Sequence, residues 1–389
     1  MSIEKLRSTI IHEFLEKHEL QGWLSWRPDE LVLQLGHTPY WGMSFLLYLQ
    51  NGERILFAPE LEPRSTIPAN IDLILYPWGR LGCTNPFDIL FDKLNFELDR
   101  RHLPRHSVGI AGTPGRSSLP MLSAELPPIA DRVLRKLSSS MATSDKLDDA
   151  FLALYQIKTD DEIVQIRTAN RVALAGLDAW LASLAPGVTE AETAAIAEAA
   201  IHCQTGKPGI DSARGWAMVQ SGSNTAFAGS FNRSSGRRIE NGDLVLIELA
   251  TCVNGYWSDL TRTATVGPVS AQSADLLAAV SMAQQSAIRL LRPGVSAREV
   301  DAAARDALKR AGFADNFTHA TGHHVGFRYH DPGFALSPDS DGLLTHGMVI
   351  TIEPGAYLAN CGIGARIEDN IAITTNGADI LSAESHDLK

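Results

Sequence analysis

The sequence has no long apolar run and no excess of basic residues, and each absence excludes a class of protein. No apolar stretch reaches the roughly 18 residues of a membrane-spanning helix. Residues 1–20 are charged, where a signal peptide needs an apolar stretch of about 7 to 15 residues. We therefore expect a cytoplasmic protein with no membrane partner. The 34 basic and 45 acidic residues give a net charge of −11, which predicts no nucleic-acid partner.

Cysteine is also scarce. The four cysteines are far apart in the sequence, so the chain has neither a CxxC metal motif nor a dense disulfide framework. These residues are Cys83, Cys203, Cys252 and Cys361. We expect them to be isolated, reduced thiols.

The chain of 389 residues is more than twice the length of a typical domain of roughly 150 residues, so we expect two domains. Residues 1–152 mix short apolar runs with turn signals and predict an α/β domain. From Lys158 the pattern changes, because Thr159 and Glu162 form a capping box ahead of apolar residues at helical spacing. We place the boundary near residue 152 and predict an α+β protein with a second domain over residues 153–389.

The second half of the chain contains an internal repeat. The motif Pro-Gly-Val-Thr at residues 186–189 has a glutamate, Glu192, three residues further on, and Pro-Gly-Val-Ser at 293–296 is followed in the same way by Glu299. Both units read as helix, turn, capping box and helix. The offset between the two motifs is too long for a solenoid repeat and predicts a domain built from two similar halves.

The repeat extends to acidic residues at matching places in the two halves. Residues 242–248 and 347–353 each run from glycine through an apolar stretch to a glutamate, and we expect two buried strands that end in Glu248 and Glu353. A second acid follows in each half at a similar distance from the repeat motif, Asp259 in the first half and Glu368 in the second. Each half therefore contributes two carboxylates.

Four carboxylates at the ends of apolar strands would repel one another strongly, so a positive group must lie among them. Arg262 and Arg366 are the basic candidates nearby, and divalent metal ions are the alternative. With His323 the acids form a ligand set suited to one or two ions of Mn, Fe, Co or Zn. Two such ions about 3.5–4 Å apart would generate hydroxide and polarise a carbonyl, which is the chemistry of amide hydrolysis.

Residues 155–375 resemble the superfamily of creatinase, prolidase, aminopeptidase P and methionine aminopeptidase. The matching segments are GDLVLIE (242–248), GYWSDLTRT (255–263), GHHVG (322–326) with His330, IEPG (352–355) and GARIEDN (364–370). The resemblance implies a pita-bread catalytic domain of two pseudo-symmetric halves over residues 153–389. It also implies that residues 1–152 form the additional N-terminal domain of the creatinase, prolidase and aminopeptidase P branch.

The resemblance also implies roles for individual residues. It implies a metal site formed by Glu248, Asp259, His323, Glu353 and Glu368. Within this set, Asp259 and Glu368 would bridge two ions, and Glu353 would also transfer a proton. His330 matches the histidine that contacts the substrate or leaving group, and Arg366 matches an arginine that orients Glu368.

Two positions depart from the family pattern. The metallopeptidases have aspartate where this chain has Glu248, and the additional methylene moves the carboxylate about 1.5 Å further into the site, which could displace one ion. Phe231 stands where the family has a histidine that contacts the reacting group. His324 and His319 are the candidates to supply that function.

The leading hypothesis is a metal-dependent hydrolase, similar to Xaa-Pro dipeptidase and aminopeptidase P, that cleaves a small peptide or amide with one or two ions such as manganese. One alternative is a metal-independent C–N hydrolase on the same fold, resembling creatinase or the ectoine hydrolases, of which the latter resemble this chain in having glutamate at the Glu248 position. The other alternative is a non-catalytic binding protein. By analogy we expect a homodimer, with Trp41 a candidate for the contact between subunits.

Overall fold

A computed structural model of the chain describes residues 3–39, 43–63, 67–78, 86–111, 135, 137–227 and 234–383. These residues form two compact units, Met1–Tyr155 and Gln156–Lys389. The boundary predicted from sequence lies three residues before this division (155 − 152). Trp41 and Phe231 are outside the described residues. None of the described helices has the length and hydropathy needed to cross a bilayer.

The first unit is built on a five-stranded mixed sheet. Its helices are α1 (Ile3–Lys17), α2 (Pro28–Leu35), α3 (Pro86–Arg100) and α4 (Asp145–Leu152). Its strands are β1 (Gly22–Ser25), β2 (Phe45–Leu49), β3 (Arg54–Pro59), β4 (Asp72–Tyr76) and β5 (Val108–Ile110). The strand order is β4-β3-β2-β1-β5, with β3–β4 and β1–β5 parallel and the other pairs antiparallel.

The α/β expectation for residues 1–152 agrees with this architecture, and its core depends on close packing around Trp23. The Trp23 ring is fully buried and stacks on Phe151 with the ring centroids 4.3 Å apart. Gly109 lies so close to this ring that a Cβ there would come within 2.5 Å of Trp23 Cε3. The packing therefore requires glycine in β5.

The second unit contains two sets of helices and strands in succession. Its helices are α5 (Asp160–Ser183), α6 (Glu190–His202), α7 (Ala271–Ile288) and α8 (Ala297–Arg310). Its first strands are β6 (Ala213–Ser221), β7 (Leu244–Val253) and β8 (Tyr256–Thr265). Its later strands are β9 (Val349–Ile352), β10 (Gly355–Leu358), β11 (Ile363–Arg366), β12 (Asp369–Ile373) and β13 (Ala378–Ile380). The sheets have the orders β6-β7-β8, β13-β12-β9 and β10-β11.

The two predicted halves are confirmed by matching turns at the repeat motif. In the first half the Gly187 amide donates to the Ile239 carbonyl at 2.8 Å, and in the second the Gly294 amide donates to the Leu344 carbonyl at the same distance. Both glycines have left-handed backbone, with φ of +93° and +87°. Each turn leads into a helix whose capping box is formed as expected. Each half also has its own cluster of buried apolar side chains.

The strand that carries Glu248 is longer than the sequence predicts. The apolar run predicts a strand that ends in the carboxylate, but β7 continues to Val253 and pairs with β8 along its whole length. The reason is the position of the turn, because Asn254 and Gly255 have φ of +51° and +87° and form a tight hairpin connection. In the second half Pro354 follows Glu353, and β9 ends at Ile352, one residue before the predicted end (353 − 352).

Gly294 offers a test of the repeated turn. A Cβ at this position would have no heavy atom within 4 Å, so Gly294→Ala adds backbone strain without a steric clash. We expect this variant to lose about 1–2 kcal/mol of unfolding free energy, measured by urea denaturation. Gly377→Ala is the matched control, because it also meets open space but has no left-handed φ, and it should lose far less. Equal losses in the two variants would contradict this account of the turn.

Candidate metal centre

Strand register places two of the acidic side chains on one face of the first-half sheet. Glu248 in the middle of β7 lies opposite Thr261 on β8. Asp259 precedes Thr261 by two residues on the same strand, and alternate residues of a strand share a face. The carboxylates of Glu248 and Asp259 therefore face the same side, and both side chains are buried.

Backbone pairing between the halves brings the other two acids to this face. The Glu368 amide donates to the Thr261 carbonyl at 3.0 Å and forms a bridge from β8 to the start of β12. Asp369 then pairs with Ile352 on β9, so Glu368 and Glu353 lie at the same end of that strand pair. The four acids predicted from the repeat therefore meet where the two halves join.

Asn370 strengthens this junction beside Asp259. Its side-chain oxygen accepts from the Asp259 amide at 3.0 Å, and its side-chain amide donates to the Asp259 carbonyl at 2.6 Å. Asn370 is fully buried, so each of these bonds is made away from water. The backbone of Asp259 is thereby fixed to the second half.

His323 is held with one ring nitrogen facing the acids. Its amide donates to Thr351 Oγ1 at 3.0 Å, and the Thr351 amide donates to its carbonyl at 2.8 Å. Nδ1 lies 2.9 Å from the His324 carbonyl, which can only accept, so Nδ1 carries the proton. Nε2 is then the ring nitrogen that faces the acids, 3.5 Å from Asp259 Oδ2 and 3.4 Å from Glu353 Oε1. With Nδ1 on the carbonyl, Nε2 is the atom through which His323 would bind a metal ion.

The donor atoms form two overlapping sets. One set contains Asp259, His323 and His330, and the other contains His323, Glu353 and Glu368, with the donor atoms of each set within 4.8 Å of one another. The structure thus brings together four of the five ligands expected from sequence and adds His330. Glu248, the fifth, belongs to neither set.

The chemistry of this set fits a divalent cation. Asp259 Oδ1 and Glu368 Oε1 are buried and accept no hydrogen bond from any residue that the structure describes. A buried carboxylate oxygen without a partner is costly, and a cation would compensate that cost. Burial, followed by the Glu248 and Glu353 charges, raises the pKa of Asp259 well above its usual range. Burial and the Asp259 charge raise the pKa of Glu368 in the same direction.

Arg366 is the positive group among these acids, and its contacts differ from those we expected. Its Nη2 donates to Glu248 Oε2, its Nη1 donates to Tyr357 Oη at 2.8 Å, and its Nε donates to Thr261 Oγ1 at 3.2 Å. The Thr261 hydroxyl in turn donates to Glu368 Oε2 at 2.7 Å. Arg366 therefore reaches Glu368 through Thr261, whereas it contacts Glu248 directly.

His330 lies against the ligand set. Its ring stacks on that of His323 with centroids 3.6 Å apart, and its Nε2 is 4.0 Å from Asp259 Oδ2. Burial, together with the nearby His323, lowers the pKa of His330 to about 2. The imidazole is therefore neutral at physiological pH, and it can accept or donate a hydrogen bond to a bound molecule.

A buried ion pair holds the loop that carries His330. Asp331 accepts hydrogen bonds from the amides of Arg328, at 2.7 Å, and Phe327, at 3.3 Å. The ammonium of Lys158, just before α5, lies 2.7 Å from Asp331 Oδ2, and both side chains are inaccessible to solvent. The position of His330 therefore depends on a residue at the start of the second unit, far earlier in the chain.

The two histidines considered as replacements for the histidine missing at Phe231 have different surroundings. His319 Nε2 lies 2.9 Å from Tyr357 Oη, which links it to Arg366, and burial lowers its pKa to about 4. His324 is fully buried, and its ring meets that of Phe334 edge-on at 4.7 Å. Of the two, His319 is the one hydrogen-bonded to the network around the acids.

Sequence reasoning missed several residues of the centre. Thr261 had a detectable signal, because it lies two residues after Asp259 in a strand and shares its face. Tyr329 donates its hydroxyl to Glu248 Oε1, and Tyr357 binds Arg366, but no local pattern distinguishes these tyrosines from core residues. Lys158 could not be recognised from sequence as part of the centre, because its ion-pair partner, Asp331, is far away along the chain.

Comparison with known proteins assigns the family. Residues 164–375, more than half of the chain, match metallopeptidase family M24. The chain belongs to this family. It is therefore a hydrolase of the M24 metallopeptidase type. The fold and function class implied by the sequence motifs are both confirmed at this level.

Individual relatives of the M24 family agree with this assignment. The chain is 36% identical over 254 residues to the Xaa-Pro dipeptidase of Pyrococcus furiosus, a match that covers 65% of this chain and 70% of the relative. The crystal structure of the prolidase from Thermococcus sibiricus has a TM-score of 0.80 and 25% identity, and the match covers 100% of this chain and 99% of that one. The prolidase structure from Pyrococcus furiosus has a TM-score of 0.76 at 28% identity, with 96% of this chain and 100% of that chain covered.

The buried ion pair predicts a large effect on stability. Lys158→Met leaves the Asp331 carboxylate buried without its cation, so we expect a loss of about 3–5 kcal/mol of unfolding free energy in urea. The control is Arg298→Met, which breaks the exposed pair between Arg298 and Asp341 and should cost less than about 1 kcal/mol. If Lys158→Met cost no more than Arg298→Met, the loop would not depend on this pair.

The raised carboxyl pKa values predict how stability depends on pH after chelation. Asp259 and Glu368 bind protons more tightly in the folded chain than in the unfolded chain, so the metal-free protein loses stability as pH rises above about 4. We expect the melting temperature of chelated protein to fall from pH 5 to pH 8, and to fall less steeply in Glu368→Gln. Saturating Mn²⁺ should remove most of the decline in the wild-type protein. If the melting temperature fell equally steeply with pH in the chelated wild type and in Glu368→Gln, the raised pKa of Glu368 would be contradicted.

Proposed function

We propose that the protein is a metal-dependent dipeptidase that cleaves Xaa-Pro dipeptides or similarly small amides. The observation that carries this proposal is the donor set around His323 Nε2, in which Asp259 and Glu368 each have a buried carboxylate oxygen without a hydrogen-bond donor among the described residues. Several M24 relatives are named Xaa-Pro dipeptidase or prolidase, and these names support the substrate class.

The proposed ligands are carboxylates with one or two imidazoles. Asp259, His323, Glu353 and Glu368 would hold the ion, and this mixture of oxygen and nitrogen donors suits Mn, Co, Zn or Fe. When bound, such an ion polarises a carbonyl and lowers the pKa of a water molecule. Manganese is our first choice because three of the four ligands are carboxylates.

The remaining roles are assigned to residues next to this set. Glu353 would move the proton, because burial raises its pKa and its Oε1 lies beside His323 Nε2. His330, which is neutral and only partly exposed, would hydrogen-bond the substrate carbonyl or the leaving amine. Arg366 would position the acids, since it donates to Glu248 directly and reaches Glu368 through Thr261.

The homodimer and the domain boundary at residues 152 and 153 stay predictions from the family resemblance. So does a contribution of Trp41 to the substrate site of a neighbouring subunit.

The test is hydrolysis of a dipeptide panel by protein that has been chelated and then reloaded with one metal at a time. We expect proline release from Ala-Pro and Gly-Pro with Mn²⁺ or Co²⁺, little cleavage of Ala-Ala, and no activity after chelation. His330→Ala should lower kcat/KM at least about 10²-fold, while the bound metal measured by elemental analysis is retained. His202→Ala, which alters an exposed histidine outside both donor sets, should match the wild type.

Two outcomes would contradict the proposal, and a third would contradict the role given to His330. Full activity after exhaustive chelation would favour a metal-independent C–N hydrolase. Metal binding without turnover of any dipeptide or small amide would favour a binding protein. Unchanged kinetics in His330→Ala would remove that residue from the substrate site.

A further inference from the structure

Glu248 differs from the other carboxylates of the centre in how its oxygens are used. Its Oε1 accepts from the Tyr329 hydroxyl, and its Oε2 accepts from Arg366 Nη2. By contrast, Asp259 and Glu368 each keep one buried oxygen to which no described residue donates. Both oxygens of Glu248 thus have a donor from the chain, whereas Asp259 and Glu368 each have one oxygen without a donor among the described residues.

The charge of Glu248 is also compensated within the chain. The Arg366 guanidinium is almost completely buried and forms an ion pair with this carboxylate. A buried pair of this kind is close to neutral and has little attraction for a further cation. The negative charge that a metal ion would neutralise lies on Asp259, Glu353 and Glu368.

Both donor sets point to a single ion position. Each set contains His323, whose Nδ1 proton is used on the His324 carbonyl, so Nε2 is the donor atom in both. An imidazole nitrogen has one lone pair and binds one metal ion. The two sets therefore converge on one ion at His323 Nε2, and Glu248 is outside them.

Tyr329 is held firmly in its place beside Glu248. It is 2% exposed, and its ring contacts those of His330, at 4.7 Å between centroids, and Trp257, at 6.5 Å. A phenol hydroxyl is a good donor to a carboxylate at neutral pH, where a phenol is not ionised. The hydroxyl is therefore a fixed donor on the oxygen of Glu248 that Arg366 leaves open.

We propose that this centre is mononuclear, and that the Tyr329 hydroxyl and the Arg366 guanidinium occupy Glu248 in place of a second metal ion. The inference rests on the proposed function in requiring that the centre bind metal, but it concerns the number of ions. Tyr329 then determines stoichiometry, because its hydroxyl, with Arg366 on the other oxygen, gives both oxygens of Glu248 a donor from the chain. Glu248 and Arg366 then form an ion pair without net charge beside the single metal ion.

The test is the number of Mn²⁺ ions bound by the full chain, measured by elemental analysis after equilibrium dialysis and by electron paramagnetic resonance. We expect one equivalent in the wild type, with the spectrum of an isolated Mn²⁺ ion. Tyr329→Phe removes the hydroxyl alone and should bind a second equivalent, with the spectral signature of two coupled ions. Tyr256→Phe is the matched control, since it alters another buried tyrosine of the same unit and should stay at one equivalent.

The possible results separate this inference from the proposed function. Two equivalents in the wild type would overturn the mononuclear centre and leave the dipeptidase proposal standing. One equivalent in both the wild type and a folded Tyr329→Phe would overturn the role of Tyr329. No bound metal in any form of the protein would overturn the proposed function, and the inference with it. The number of Mn²⁺ ions bound by the wild type tests the mononuclear centre even if a variant fails to fold.

Discussion

Mutual repulsion among four buried carboxylates is the constraint on which the centre depends. The chain supplies donors to some of these oxygens and not to others. Arg366 and Tyr329 satisfy Glu248, and Thr261 donates to Glu368. Asp259 and Glu368 each keep one buried oxygen to which no described residue donates, and there protons or a cation must supply the missing positive charge. The raised pKa values of Asp259 and Glu368 and the proposed metal ion thus have the same cause, which is the burial of these acids without enough positive charge around them.

Much of this arrangement could be predicted from sequence because its signals are local. Capping boxes, Pro-Gly turns and apolar runs are encoded within a few residues, and each repeated motif appears as expected. Duplication makes single acids informative, since Asp259 and Glu368 occupy matching places in the two halves. The repeated acids with His323 already predicted a metal site, the family resemblance assigned roles to its residues, and His323 with three of the predicted acids is found in the two donor sets.

The rest could not be predicted because it depends on register between distant segments. Whether Arg366 contacts Glu368 or Glu248 is decided by how β11 lies against β7 and β8, and no spacing within one segment encodes that. The extension of β7 beyond Glu248 follows from an Asn-Gly turn, whose local signal competes with that of the acidic residue in the middle of the strand. Tyr329 had no signal, because a tyrosine beside His330 is as typical of a core as of a site.

The bridge between Thr261 and Glu368 has a consequence for folding as well as for chemistry. Asp259 and Glu368 are far apart in the sequence, and each half supplies part of the donor set. An ion bound there acts as a cross-link that closes a long loop, much as a disulfide restricts an unfolded chain. Because such an ion binds only the folded chain, its free concentration sets how strongly the two halves are tied together. The proposed ligands come from both halves, Asp259 from the first and three residues, His323, Glu353 and Glu368, from the second, so joining of the halves and loading of all four ligands are one linked equilibrium.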